Sequence, residues 1–116
     1  MKNKKSIITE YMDISVFSGR PTEAIHHCIF GNSLRRLADE DMLVIPLTND
    51  EHNLSSRGLI FQIHENPAAE KLSKMLGQVA WEKDYISQFL LKEFQFSGVE
   101  EKAREAFIAR YGRSNL

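Results

Sequence analysis

Ala24-Ile25-His26-His27-Cys28-Ile29-Phe30 decides how this chain is read. The run has strand-like composition and follows Ser18-Gly19-Arg20-Pro21, a sequence with turn chemistry. On the other side of that turn Ile14-Ser15-Val16-Phe17 has the same character, so the two flanks are expected to pair as a β-hairpin. Adjacent side chains on a strand point to opposite faces, so a regular strand cannot direct both His26 and His27 to one point. One imidazole is free to bind an ion while its neighbour faces something else.

Working outward, Gly31-Asn32 opens a polar stretch to Asp41 in which a helical turn or two is expected around Leu34 and Leu37. Met42-Leu43-Val44-Ile45 then reads as a short buried strand ended by Pro46. Thr48-Asn49-Asp50-Glu51 is a capping box, in which the hydroxyl and the carboxylate each satisfy a free backbone donor, and it places His52 in the first turns of a helix. The Ser-rich Leu54 to Gly58 segment is expected to interrupt that helix before Leu59 to His64 continues it. Asn66 and Pro67 supply the N-cap and first position of another helix.

From Pro67 to about Phe94, Leu72, Met75, Leu76, Val79, Ile86, Phe89 and Leu90 recur at three- and four-residue steps. That spacing predicts one amphipathic helix with Gly77 as its weak point. Trp81, Tyr85, Phe89, Phe94 and Phe96 belong to its core face or to a helix-mediated dimer face. Ser97-Gly98-Val99-Glu100 reads as a second capping box, and Ala103, Ala106, Phe107 and Tyr111 as the buried face of a last helix that Gly112 ends. The expected fold class is α+β in a single domain, residues 1–116. A short N-terminal β-hairpin packs on a helix within about residues 14–66, and two C-terminal helices follow over 67–113.

A chain of 116 residues with 42% hydrophobic and 27% charged residues is ordinary globular material, which excludes disorder, collagen and coiled coil as its main description. No apolar run approaches the roughly 20 residues that cross a bilayer, and Met1 to Lys5 precede no signal-like stretch, so a cytoplasmic location without membrane contact is expected. The single Cys28 excludes an intramolecular disulfide and a Cys-only zinc site, and it reads as a small apolar strand residue. A net charge of −1 lends no support to tight non-specific nucleic-acid binding. Phosphate contact would fall to local charges such as Lys2, Lys4, Lys5, Arg35, Arg36 and Arg57, and would be weak and salt-sensitive.

The four histidines are the most informative feature. His26 and His27 end a strand, and His52 and His64 bracket a helical segment after the next strand. Together with His26 to Gly31, Arg35 to Asp41, Val44 to Leu47, Glu51-His52-Asn53, Ile63 to Pro67, Ala69 to Gln78 and Arg110 to Arg113, this order resembles the small HNH (ββα-metal, His-Me finger) endonuclease proteins encoded by phages and prophages. The similarity runs from about Val16 to the C-terminus.

The resemblance implies a metal-dependent DNA endonuclease of a bacterial host's phage or prophage, serving recombination, replication or packaging. His26, His52 and His64 would hold one divalent ion, Mg²⁺, Mn²⁺, Zn²⁺ or Ni²⁺, and His27 would be the general base. Asn53 and Asn66 would orient the base or complete the metal shell, and Arg35 or Arg36 would hold a phosphate oxygen of the DNA. A homodimer through the C-terminal helices is a further expectation. The alternative is a catalytically inactive, metal-stabilised DNA-binding or structural module of a phage gene cluster. Many relatives place the two later histidines four residues apart; here twelve residues would span roughly 18 Å on a straight helix, so the chain must bend between Leu54 and Gly58. Cysteine pairs for a structural zinc, common in relatives, are absent.

Overall fold

In the computed structural model, which describes residues 4–54, 62–90 and 97–116, the chain is α+β. Its elements run β1 (Ala24–His27), α1 (Leu34–Glu40), β2 (Val44–Leu47), a π-helical turn (Asp50–Leu54), α2 (Pro67–Tyr85), a second π-helical turn (Ile86–Leu90) and α3 (Val99–Tyr111). The two strands pair antiparallel, with His26 opposite Ile45 and His27 opposite Val44. Bonds from Glu23 N to Leu47 O and from Cys28 N to Leu43 O, both 2.9 Å, extend the pairing at either end.

The pairing differs from the expected hairpin. Ile14 makes only an isolated bridge to Pro21, and Ser15 to Arg20 closes on itself through Ser15 N to Arg20 O (2.7 Å) and Gly19 N to Ser15 O (3.0 Å), with Gly19 at φ 73°. Burial explains the choice of partner: every residue of β2 is buried, whereas Ile14, Val16 and Phe17 are exposed. Apolar area removed from water favours β2 as the strand beside β1. Pro46, expected to end the strand, lies inside it, opposite Ile25. It has no N–H to offer a ladder, which an edge strand tolerates, and its carbonyl accepts from Val16 N at 3.1 Å.

The core gathers Cys28, Ile29, Ala38, Leu43, Ile45, Leu47, Ile63, Phe107 and Tyr111, flanked by Ile7, Ile8, Leu34, Leu37, Ala80 and Trp81. The α2 helix meets it with an unexpected face. Its buried residues are Ala69, Ser73, Gly77, Gln78 and Glu82, while Leu72, Leu76 and Val79 are exposed. A Cβ added at Gly77 would sit 3.0 Å from both Cys28 Cβ and Ile29 Cγ1, so the helix backbone lies almost on the strand end. Such an approach leaves room only for a small residue at the point of contact, and the Leu/Val stripe is turned outward. Gly77 is therefore a point of close helix–strand packing rather than a weak point.

The helix expected to continue to Phe94 ends at Tyr85 and gives way to the π-helical turn; Phe94 and Phe96 lie outside the described residues. Asn66 caps α2 as expected, its side chain accepting from Ala69 N at 3.2 Å. The second capping box does not form: Gly98, at φ 75°, is the N-cap of α3, which shifts the helix start one residue past the position Ser97 would need. Asp41 ties the halves together by accepting from Trp81 Nε1 (2.9 Å), Arg110 Nε (2.6 Å) and Tyr111 OH (2.6 Å). Burial, reinforced by the Asp41 bond, pushes the Tyr111 phenol well above its ordinary range. Among the described residues no helix is long and apolar enough to cross a membrane.

Candidate metal centre and its cleft

His26 is fully buried on β1. Its Nε2 lies 2.7 Å from Ser73 Oγ, and the Ser73 hydroxyl donates to the Cys28 carbonyl at 2.8 Å. A hydroxyl has one proton; having given it to the carbonyl, Ser73 can only accept from His26, so Nε2 carries the ring's N–H. The Nδ1 lone pair of the neutral ring is then left over. Nδ1 is the one buried side-chain nitrogen or oxygen without a hydrogen-bond partner among the described residues. Buried polar groups are nearly always satisfied, and an orphan invites an explanation such as an ion. Burial, with the neighbouring His52, His64 and His27, lowers the His26 pKa to about 3, so the ring is neutral at pH 7.

His52 is placed by a local device and His64 by a long-range one. The capping box forms as the sequence predicts, with Glu51 N donating to Thr48 Oγ1 (3.3 Å) and Thr48 N to Glu51 Oε1 (2.9 Å), and Ser15 Oγ adds a 2.5 Å bond to the same carboxylate oxygen. Burial works to raise the Glu51 carboxyl, but the bonds from Ser15 and Thr48 outweigh it and hold the group below its ordinary value. That anchored turn presents His52. The chain then returns beside it, with Ile63 N donating to Glu51 O (2.8 Å) and His64 N to His52 O (3.0 Å). The return meets the demand for a reversal between the two histidines, although residues 55–61, over which the bend and the first part of the Leu59 to His64 segment are expected, lie outside the described residues.

The reversal brings His52 Nε2 and His64 Nε2 to 3.1 Å. Two lone pairs at that distance repel unless a proton or a cation lies between them. Desolvation, then the charges of His64, Arg35 and His27, lower the His52 pKa to about 4. Glu70 Oε2 stands 3.5 Å from His64 Nδ1, the side away from His52. Carboxylates often orient a metal-bound imidazole from that position.

One nitrogen each from His26, His52 and His64 lies within 4.8 Å of the others, so the three could hold a metal ion. Three atoms so spaced share a point within about 2.8 Å of each (4.8/√3), and closing to metal–nitrogen bonds near 2 Å needs a contraction of under about 1 Å. Phe30 packs edge-on against His26 and His64, with ring centroids 5.7 and 4.9 Å away, and Lys74 Nζ sits 4.6 Å from the Phe30 centroid.

Above the buried His26 opens a cavity of about 280 Å³ lined by Ile25, His27, Phe30, Arg35, His52, Asn53 and His64. His27 and Arg35 therefore face the same space as the two outer imidazoles, as does Asn53. Asn66 is occupied as the cap of α2. Arg36 does not line the cavity and pairs with Glu40 on the exposed side of α1 at 2.8 Å. Cys28 is buried, and its thiol is pushed up to about 12 by that burial.

Two residues emerge from the structure alone. Ser73 sits on the small-residue face of α2, and the Ala69-Ser73-Gly77 spacing was the available signal for it. Asp39 accepts from His27 Nε2 at 3.0 Å and is ion-paired with Lys4. It stands four residues after Arg35 on α1, so both reach one side of the helix. The Lys4 bond, then the His27 bond, holds the Asp39 carboxyl below its ordinary value. No protein-family model matches the chain, nor does any curated protein or any solved structure.

Proposed function

We propose that the chain is a metal-dependent DNA endonuclease of the HNH, ββα-metal kind, hydrolysing phosphodiester bonds in the cleft beside the three histidines. One observation carries the proposal: a buried imidazole with its lone pair left over converges with two further imidazoles beside a cavity that His27 and Arg35 also line. A divalent ion bound there would supply stabilisation of the charge on the scissile phosphate and its leaving oxygen. His26, His52 and His64 would hold it. Arg35 draws a phosphate oxygen into the cavity by a charge-assisted bond. His27 receives the proton of the attacking water, and Asn53 orients that water or the phosphate. Three imidazoles are a borderline-soft set, which favours Zn²⁺, Ni²⁺ or Mn²⁺ over Mg²⁺.

Plasmid DNA incubated with the protein and each of these ions tests the proposal: nicked or linear product is expected with at least one of them. His27→Ala should abolish cutting and retain the ion, whereas His26→Ala should lose both. Intact plasmid with every ion, from protein shown by calorimetry to bind one, sinks the enzymatic reading. The second reading, a catalytically inactive metal-stabilised module of a phage gene cluster, draws on the complete burial of His26 and its bond to α2 through Ser73, which would couple an ion to the fold. Under it chelation unfolds the protein and His27→Ala changes nothing measurable.

A further inference from the structure

His27 is held from both ends by groups whose chemistry leaves no choice of tautomer. Asp39 Oδ1, 3.0 Å from Nε2, is a carboxylate that can only accept, so Nε2 carries the proton. Arg35 Nε, 3.3 Å from Nδ1, can only donate, so Nδ1 carries the lone pair. Lys4 braces the far partner by its ion pair to Asp39. The His27 side chain is 11% exposed and Asp39 is 42% exposed, so the dyad lies at the cavity rim with its carboxylate partly wet. The two clamps are unequal. The Arg35 bond is long for an N–H donor and ends on a neutral nitrogen; a phosphodiester oxygen would give the same guanidinium a shorter, charge-assisted bond, and Arg35 already lines the cavity such an oxygen would enter.

We propose that Asp39 is the positioning residue for His27, fixing its proton on Nε2, and that Arg35 caps the Nδ1 lone pair until an anionic phosphodiester takes its guanidinium and uncovers the base. The inference rests on the hydrolase reading above. In the step it prepares, the water oxygen forms a bond to phosphorus as the bond from phosphorus to the leaving sugar oxygen breaks. The water proton passes to His27 Nδ1, and the leaving oxygen takes a proton from solvent. Arg35 thus couples phosphate arrival to the exposure of the base, and the uncapped base does not persist in the empty cleft.

The test uses the full chain with the ion that supports plasmid cutting. Asp39→Ala should lower kcat about tenfold or more with KM within twofold, and Asp39→Asn, whose amide oxygen still accepts from Nε2–H, should recover part of the loss. Arg35→Ala should act mainly on KM. At one fixed pH, imidazole ¹⁵N spectra of the metal-free protein should show His27 with its proton on Nε2. Dimethyl phosphate should shift the Nδ1 signal in the wild type, and that response should be absent in Arg35→Ala. An Asp39→Ala protein with wild-type kcat and an unchanged His27 tautomer overturns the inference and leaves the nuclease reading standing. So does an Nδ1 signal indifferent to dimethyl phosphate. A wild type that cuts no DNA with any ion removes both.

Discussion

Replacing Ser73 with alanine probes the device that leaves the His26 lone pair available. Ser73 is only 5% exposed, and loss of its hydroxyl strips a partner from two buried groups, His26 Nε2–H at 2.7 Å and the Cys28 carbonyl at 2.8 Å. Each buried group left unpaired costs about 1–3 kcal/mol. The His26 ring can turn to relieve part of this, so a total near 2–3 kcal/mol, at the low end for two such groups, is expected from urea unfolding of the metal-free protein. A ring free to turn also points its lone pair less reliably, and losing such an orienting partner typically weakens metal affinity about 10–100-fold. Competition titration with a chromophoric chelator reads that number. The His26→Ala/Ser73→Ala double variant separates the two effects, since without the imidazole only the Cys28 carbonyl remains to be orphaned, and Ser73→Ala should then cost less in stability. A Ser73→Ala protein that binds the ion within twofold of wild type would falsify the tautomer argument. An identical stability loss with and without His26 would do the same.

Three further outcomes follow from the same geometry. In the metal-free protein His26 falls from 6.5 unfolded to about 3 folded, so the unfolded chain binds the extra proton; stability is complete above about pH 6.5 and declines toward pH 3, with a slope of up to about 1.4 kcal/mol per pH unit from this ring. Urea midpoints between pH 7 and 4 should show the decline, and His26→Gln should make it shallower, the remainder coming from His52. Gly77→Ala should destabilise by about 1–3 kcal/mol, because the new methyl meets Cys28 Cβ and Ile29 Cγ1 at 3.0 Å in a packed core; a neutral or stabilising result would mean that α2 can move away from β1 without loss. Zn²⁺ at a hundred times its Kd should raise the unfolding free energy by about 2.7 kcal/mol, and the gain should vanish in His64→Ala if that ring is a ligand.

What the amino-acid sequence determined by itself is the set of features written within three or four residues of one another. The Thr48–Glu51 capping box, the Asn66 cap before Pro67 and the stop of α3 at Gly112, whose N–H bonds to Ile108 O at 2.7 Å, depend on neighbours in the chain. The separate stations of His26 and His27, one buried and one lining the cavity, follow from strand alternation, which is equally local. The convergence of His26, His52 and His64 was expected from family resemblance, and the structure brings their nitrogens together. The tertiary structure decided everything that turns on competition between distant segments. β2 rather than Ile14–Phe17 pairs with β1 because it buries all four of its residues, a comparison that no local window contains. The inward face of α2 departs from its apolar stripe for a related reason: apolar periodicity marks the inward face only when a helix stands off by the length of a side chain, and at Gly77 the backbone stands almost on the strand. Ser73 acquires its role only through that approach of α2, and Asp39 only through the packing of α1 beside β1, since each is distant in sequence from the imidazole it fixes.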